Sequence, residues 1–145
     1  MTTAEQLVRE LADRAELADL VARHSVWIDE ARWHETDRIF TADVTTRSPR
    51  GEARGVDQLL ALVARGHDTF AQTVHNKANV VIDLDGDTAA VRATDVALFV
   101  VDDATVSLAA GVARYGMRRT GAGWRIADLE IAPAALTAPI DRASL

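Results

Sequence analysis

Apolar residues recur at three- and four-residue steps from Glu5 to about Ala31. Leu7, Leu11, Leu17, Leu20, Val21 and Ile28 keep the period of an amphipathic helix about 25 residues long. Arg32-Trp33 interrupts it, and Trp33 to Phe40 predicts a second, short helix whose Trp33, Ile39 and Phe40 seal one end of a core. Thr41 to Arg47 favours a strand and runs into Ser48-Pro-Arg-Gly51, a turn signal. Gly55 then precedes Val56–Gly66, a third helix stopped by its own glycine. After Phe70 the period changes to two. Val74–Leu84 alternates, Asp85-Gly-Asp87 is a hairpin turn, and Thr88–Val101 returns from it. Asp102-Asp103 turns the chain into a strand over Thr105–Arg119. Thr120-Gly-Ala-Gly123 turns it again into Trp124–Ile131, a last strand ended by Pro133.

Helices first and an antiparallel meander second predict an α+β domain in which a curved sheet folds over the N-terminal helices and encloses a cavity. A chain of 145 residues fits one domain, with a core over about residues 5–132 and an Ala- and Pro-rich tail over 133–145 whose bulky apolar residues are Leu136, Ile140 and Leu145. The tail is expected to lid the cavity, join an interface or hang loose. Composition removes several chemistries. With no Cys there is no disulfide framework, thiolate nucleophile or thiolate metal site, and with one Lys any Schiff base would rest on Lys77. A net charge of −6 with scattered arginines argues against a nucleic-acid partner. No apolar run approaches the ~18 residues of a membrane span, and Met1-Thr-Thr-Ala-Glu5 lacks the regions of a secretory signal, so a cytoplasmic location is expected. An open curved sheet of this size also predicts a homo-oligomer, a dimer or trimer.

Asp95 is the most informative position. One face of its strand reads Ala89, Val91, Ala93, Asp95, Ala97, Phe99 and Val101, a single carboxylate in an apolar stripe. Such a group must meet a cation or hydrogen-bond donors, take up a proton, or line a polar pocket. Strict alternation gives His75 the same face as Lys77, Asn79 and Asp83, the polar one, where a histidine is by default solvated or part of an interface. Lys77 is then a surface residue, and only a bulge or sheet curvature would turn His75 inward. Asp29 stands in the last turn of the first helix, where a carboxylate opposes the helix dipole by roughly 0.3–1 kcal/mol. His24 falls on the apolar stripe of that helix and points inward, ~140° around from Asp29 at ~100° per residue. His34 and His67 are expected at the surface. His24, Asp29 and His75 form at most a two-His-one-carboxylate set without a local ligand spacing, so no metal and no other cofactor is expected.

Arg14-Ala-Glu-Leu-Ala-Asp-Leu20, Trp33, Ile39-Phe-Thr-Ala-Asp-Val44, Asp83-Leu-Asp-Gly-Asp-Thr-Ala89 and Gly123-Trp-Arg-Ile126 together resemble the SnoaL-like branch of the nuclear transport factor 2-like superfamily. The resemblance covers roughly residues 10 to 131 and implies a cone-shaped α+β fold with a pocket. Val74-His-Asn-Lys-Ala-Asn79 resembles the segment that bears the basic histidine of scytalone dehydratase and of hexachlorocyclohexane dehydrochlorinase. The resemblance therefore implies His75 as a base that removes a proton from carbon. It implies Asp29, four residues before Trp33, as the group that orients His75. It implies His24 as an acid or leaving-group partner at a position where the family often carries Tyr or Lys. Departures from the family bear on its other activities. The isomerase base position corresponds to Ser48, its oxyanion partner falls near Gly111, and the dehydrochlorinase pocket arginine corresponds to Leu129. The expected function is a cofactor-independent dehydratase-type lyase acting on a small apolar or polycyclic molecule. In it His75, Asp29, Asp95 (as a protonated donor) and His24 are catalytic. A cyclase or isomerase in the same pocket, or a non-catalytic binding or dimerisation domain, are the alternatives.

Overall fold

The computed structural model describes residues 2–144 and has the α+β architecture that periodicity predicts. The long helix α1 spans Thr3–Asp29, and its N-terminus is closed by a capping box in which Thr2 and Glu5 exchange hydrogen bonds. Its other end is a Schellman turn. The Arg32 N–H donates to the Trp27 carbonyl at 2.9 Å and the Ala31 N–H to that of Ile28 at 3.2 Å, with Ala31 left-handed at φ 50°. The second predicted helix is a 3-10 turn over Trp33–Glu35 followed by the single helical turn α2, Thr36–Ile39.

The sheet comprises β1 (Phe40–Ser48), β2 (Gly51–Arg54), β3 (Gln72–Asp85), β4 (Thr88–Val100), β5 (Thr105–Thr120), β6 (Gly123–Leu136) and β7 (Ile140–Asp141). Its order is β2-β1-β6-β5-β4-β3, with β7 on β5. Every pairing is antiparallel except β1 with β6. β2 and the two-residue β7 are the strands periodicity misses, because each is too short to show alternation. The core lies between α1 and the concave face, built on Leu17, Trp27, Phe40, Val44, Trp124 and Ile126. It closes at the narrow end around Asp13. Arg119 donates to both oxygens of that carboxylate at 2.7 Å, and Trp124 Nε1 donates at 2.9 Å.

Three features depart from the expected ones. Helix α3 runs Val56–Asp68, through Gly66 rather than ending at it. Nη1 of Arg50 occupies the place that a methyl on Gly66 would take. β6 continues through Pro133 to Leu136. It does so by a register shift opposite Ala110 and Gly111, where the missing proline N–H costs no ladder bond. Gly111 lets the two backbones approach, as a methyl there would stand 2.6 Å from Pro133 Cα.

The third departure decides the site. Between Ala78 and Val81 the β3–β4 register shifts, so that Asn79 and Val80 together oppose Ala93, and Asn79 takes φ 50°. This is a β-bulge, and one extra residue exchanges the two faces of the strand. Before it, Thr73, His75 and Lys77 point inward and Val74 is exposed. After it, Ile82 and Leu84 join the core.

A candidate active site of three paired groups

A cavity of about 780 Å³ opens between the concave sheet, the inner face of α1 and helix α3, within the usual size for small-molecule sites. Its lining is mostly apolar and includes Ala134, Ala135 and Leu136 of the tail. His24, His75 and Asp95 all face this cavity. Asp29 stands directly behind His75.

The His75–Asp29 pair is made by α1 delivering its last residue against the start of β3. His75 Nδ1 lies 2.7 Å from Asp29 Oδ1, and the His75 backbone N–H donates to Oδ2 at 2.8 Å. The Thr73 hydroxyl donates to Oδ1 at 2.9 Å. Burial alone raises the Asp29 pKa, but the bonds from the His75 side chain and backbone, its charge and Thr73 outweigh this and hold the carboxyl below its ordinary value. An ionised carboxylate only accepts hydrogen bonds. Nδ1 therefore carries the proton, and in the neutral ring Nε2 is left with a lone pair. The dipole opposition at the helix end is offset by these three donors.

Lys77 and Asp95 face one another across β3 and β4 as direct register partners. Their side chains are 3% and 10% exposed, and Nζ sits 2.9 Å from Oδ1. The two atoms are in ion contact without the angles of a hydrogen bond, so each keeps unused bonding capacity. This corrects one expectation. Lys77 is a buried pocket residue, not a surface one, because the bulge lies beyond it. Asp95 meets a cation, the first of the outcomes open to a carboxylate in an apolar stripe.

The third pair joins His24 to a tyrosine that periodicity does not single out. His24, 2% exposed, points inward as expected, and its Nδ1 lies 3.0 Å from the hydroxyl of Tyr115 on β5. Burial pushes the His24 pKa well below its ordinary value, helped by the charges of Lys77 and His75. Burial and the Asp95 charge push the Tyr115 pKa up. Both groups are therefore neutral and share one hydrogen bond. The signal for Tyr115 was its place on the stripe Ala113, Tyr115, Met117, as the chain's lone tyrosine.

His34 is exposed as expected, whereas His67 is partly buried at the cavity mouth with its ring edge-on to Trp33 at 5.7 Å. Its place on the last turn of α3, made possible by the helix passing through Gly66, is what turns it inward. Ser48, Gly111 and Leu129 also line the cavity. Among the described residues no three or more His, Cys, Asp or Glu side chains are grouped to hold a metal ion.

An α+β cone with a long N-terminal helix, a curved sheet and a cavity at its wide end is the nuclear transport factor 2-like architecture. The SnoaL-like domain model matches residues 9–130, and the chain belongs to that family. A comparison with curated proteins finds no match. Among solved structures, the hexachlorocyclohexane dehydrochlorinase LinA-type3 of Novosphingobium barchaimii superposes with TM-score 0.82 at 20% identity, covering 92% of this chain and 93% of that one. A candidate scytalone dehydratase of Novosphingobium aromaticivorans gives 0.78 at 19% identity, over 93% and 91%. An NTF2-like protein of the same organism with a cystatin-like fold gives 0.79 at 25% identity, over 92% and 90%. No helix among the described residues is long and apolar enough to cross a membrane.

Proposed function

We propose that the protein is a cofactor-independent lyase of the dehydratase type, acting on a small apolar or ring-containing molecule held in the cavity. The observation that carries this reading is the His75–Asp29 pair at 2.7 Å on the cavity wall. His75 Nε2 takes a proton from a carbon next to a carbonyl. The C–H electron pair becomes the new C=C bond, and the C–O bond to a neighbouring hydroxyl breaks. The leaving oxygen, hydrogen-bonded by His24 with its Tyr115 partner, takes a proton from the Lys77 ammonium and departs as water. The proton gained by His75 returns to the donor through solvent, so the net products are an alkene and water. His75 and Lys77 stand two residues apart on one strand face, about 7 Å along it, which suits a base and an acid on either side of a C–C bond. The bare positions at Ser48 and Gly111 favour elimination over the isomerase and cyclase chemistry of the family.

The test is turnover of a panel of cyclic β-hydroxyketones, followed by the ultraviolet absorbance of the conjugated product. Wild-type turnover is expected to fall by ~10²–10⁴-fold in His75→Asn, the usual worth of a general base. Undiminished turnover in His75→Asn refutes the assignment. A panel inert to the wild type favours the ligand-binding alternative. The same reading retains a cytoplasmic homo-oligomer, which suits a chain without cysteine and the exposed Val74, Val81 and Val96 on the outer face of β3 and β4. Sedimentation and cell fractionation test it.

A further inference from the structure

Three Arg and Lys side chains line the cavity. Lys77 has Asp95, and Arg47 has Asp128 at 3.5 Å and Glu130 at 3.4 Å. Arg50 has no carboxylate and no side-chain hydrogen bond among the described residues. Its guanidinium instead sits over two rings, 5.5 Å from the Phe70 centroid and 5.9 Å from that of Phe99. Although Arg50 is exposed as a residue, the shielding of its head by the cavity mouth lowers its pKa. Two features hold it there. The rings attract the cation through their faces. Gly66 leaves the volume that Nη1 occupies, at a helical position where glycine otherwise costs about 1 kcal/mol against alanine.

A planar guanidinium held on aromatic rings with its donors unspent is a receptor for an oxyanion. Phe99 also contacts His75, whose ring is edge-on to it at 5.9 Å. A ligand anchored on Arg50 therefore reaches the imidazole across one phenyl width.

We propose that the cavity takes an apolar ring-bearing acid, with its body against Phe70 and Phe99 and its singly charged oxyanion, a carboxylate in a metabolite, on Arg50. This rests on reading the cavity as a small-molecule site, and not on the reaction assigned to it. It makes the acidic protein selective for anions at one point of its surface, because Arg50 is the cavity cation left uncompensated.

The test uses two dyes that share a ring system and differ in charge: 8-anilinonaphthalene-1-sulfonate and uncharged N-phenyl-1-naphthylamine. Arg50→Gln is expected to weaken sulfonate-dye binding about tenfold, the low end for a hydrogen bond to a charged group because the mouth is open to water, with the neutral dye within twofold of wild type. Arg50→Lys is expected to fall between. Gly66→Ala keeps the charge but displaces the guanidinium, and is expected to reproduce the selective loss. The proposal is overturned if the wild type fails to bind the sulfonate dye saturably. Failure of the neutral dye to displace the charged one, or equal responses of the two dyes to Arg50→Gln, overturns it too. Full sulfonate-dye affinity in Gly66→Ala overturns the role given to that glycine. Dye binding needs no turnover, so a failure of the elimination chemistry and a failure of anion recognition are read separately.

Discussion

Replacing Lys77 by Met probes the inversion of β3 more directly than any change at His75. If β3 alternated without a bulge, Lys77 would lie on the polar surface and its loss would cost no more than about 0.5 kcal/mol. In the structure the side chain is 3% exposed against an Asp95 that is 10% exposed, so the substitution strands a carboxylate in the cavity wall. Breaking a buried pair by removing one partner costs about 3–5 kcal/mol. The ammonium and Oδ1 make no geometrically complete hydrogen bond, so the native pair is imperfectly compensated and the lower end, about 3 kcal/mol, applies. Urea denaturation of wild type, Lys77→Met, Asp95→Leu and the double variant is the assay. In a domain of this size that loss lowers the melting temperature by roughly 6–12 °C. The double variant is expected to regain most of it, since two apolar groups of similar volume leave no unpaired charge. A Lys77→Met variant within 0.5 kcal/mol of wild type, or a double variant as unstable as the sum of the singles, would refute the placement of both residues.

Two further expectations concern the same wall. His24 is held neutral by burial, so below the unfolded pKa of about 6.5 the unfolded chain binds a proton that the folded chain excludes, and stability falls as pH drops with a slope of up to about 1.4 kcal/mol per unit. His24→Gln removes that contribution, so the stability gap between wild type and variant is expected to shrink from pH 7.5 to 5.5. Parallel urea curves across that range would sink the idea. At the bulge, Asn79→Ala is expected to cost about 1 kcal/mol and Asn79→Gly almost nothing, because φ 50° strains an alanine by about that much and leaves glycine unstrained. Equal stability of the two variants would place Asn79 in ordinary strand geometry.

Much of the site was legible as residue types without their partners. The lone carboxylate on the β4 stripe and the inward imidazole of α1 follow from period alone, and Asp95 and His24 are indeed buried. Asp29 stood out because a carboxylate at a helix C-terminus is poorly placed unless something else binds it, and that something is the backbone and side chain of His75. Tyr115, Arg50 and the inward Lys77 were not legible. A hydroxyl on an apolar stripe reads as core, and an arginine after a proline reads as turn. Each acquires its role from a neighbour more than fifteen residues away.

The sequence by itself determined the order of the main elements, the α+β class and the face of β4 that is buried, because regular alternation of apolar and polar groups admits one way of hiding the apolar set from water. Tertiary structure alone decided which face of β3 meets the cavity. A bulge is one residue of slack in a ladder, fixed by how strand and partner must curve around α1, and Asn79 marks it only as a residue tolerant of φ above zero. That single residue carries His75 to Asp29 and Lys77 to Asp95, and converts a face that reads as solvated into the wall of the site.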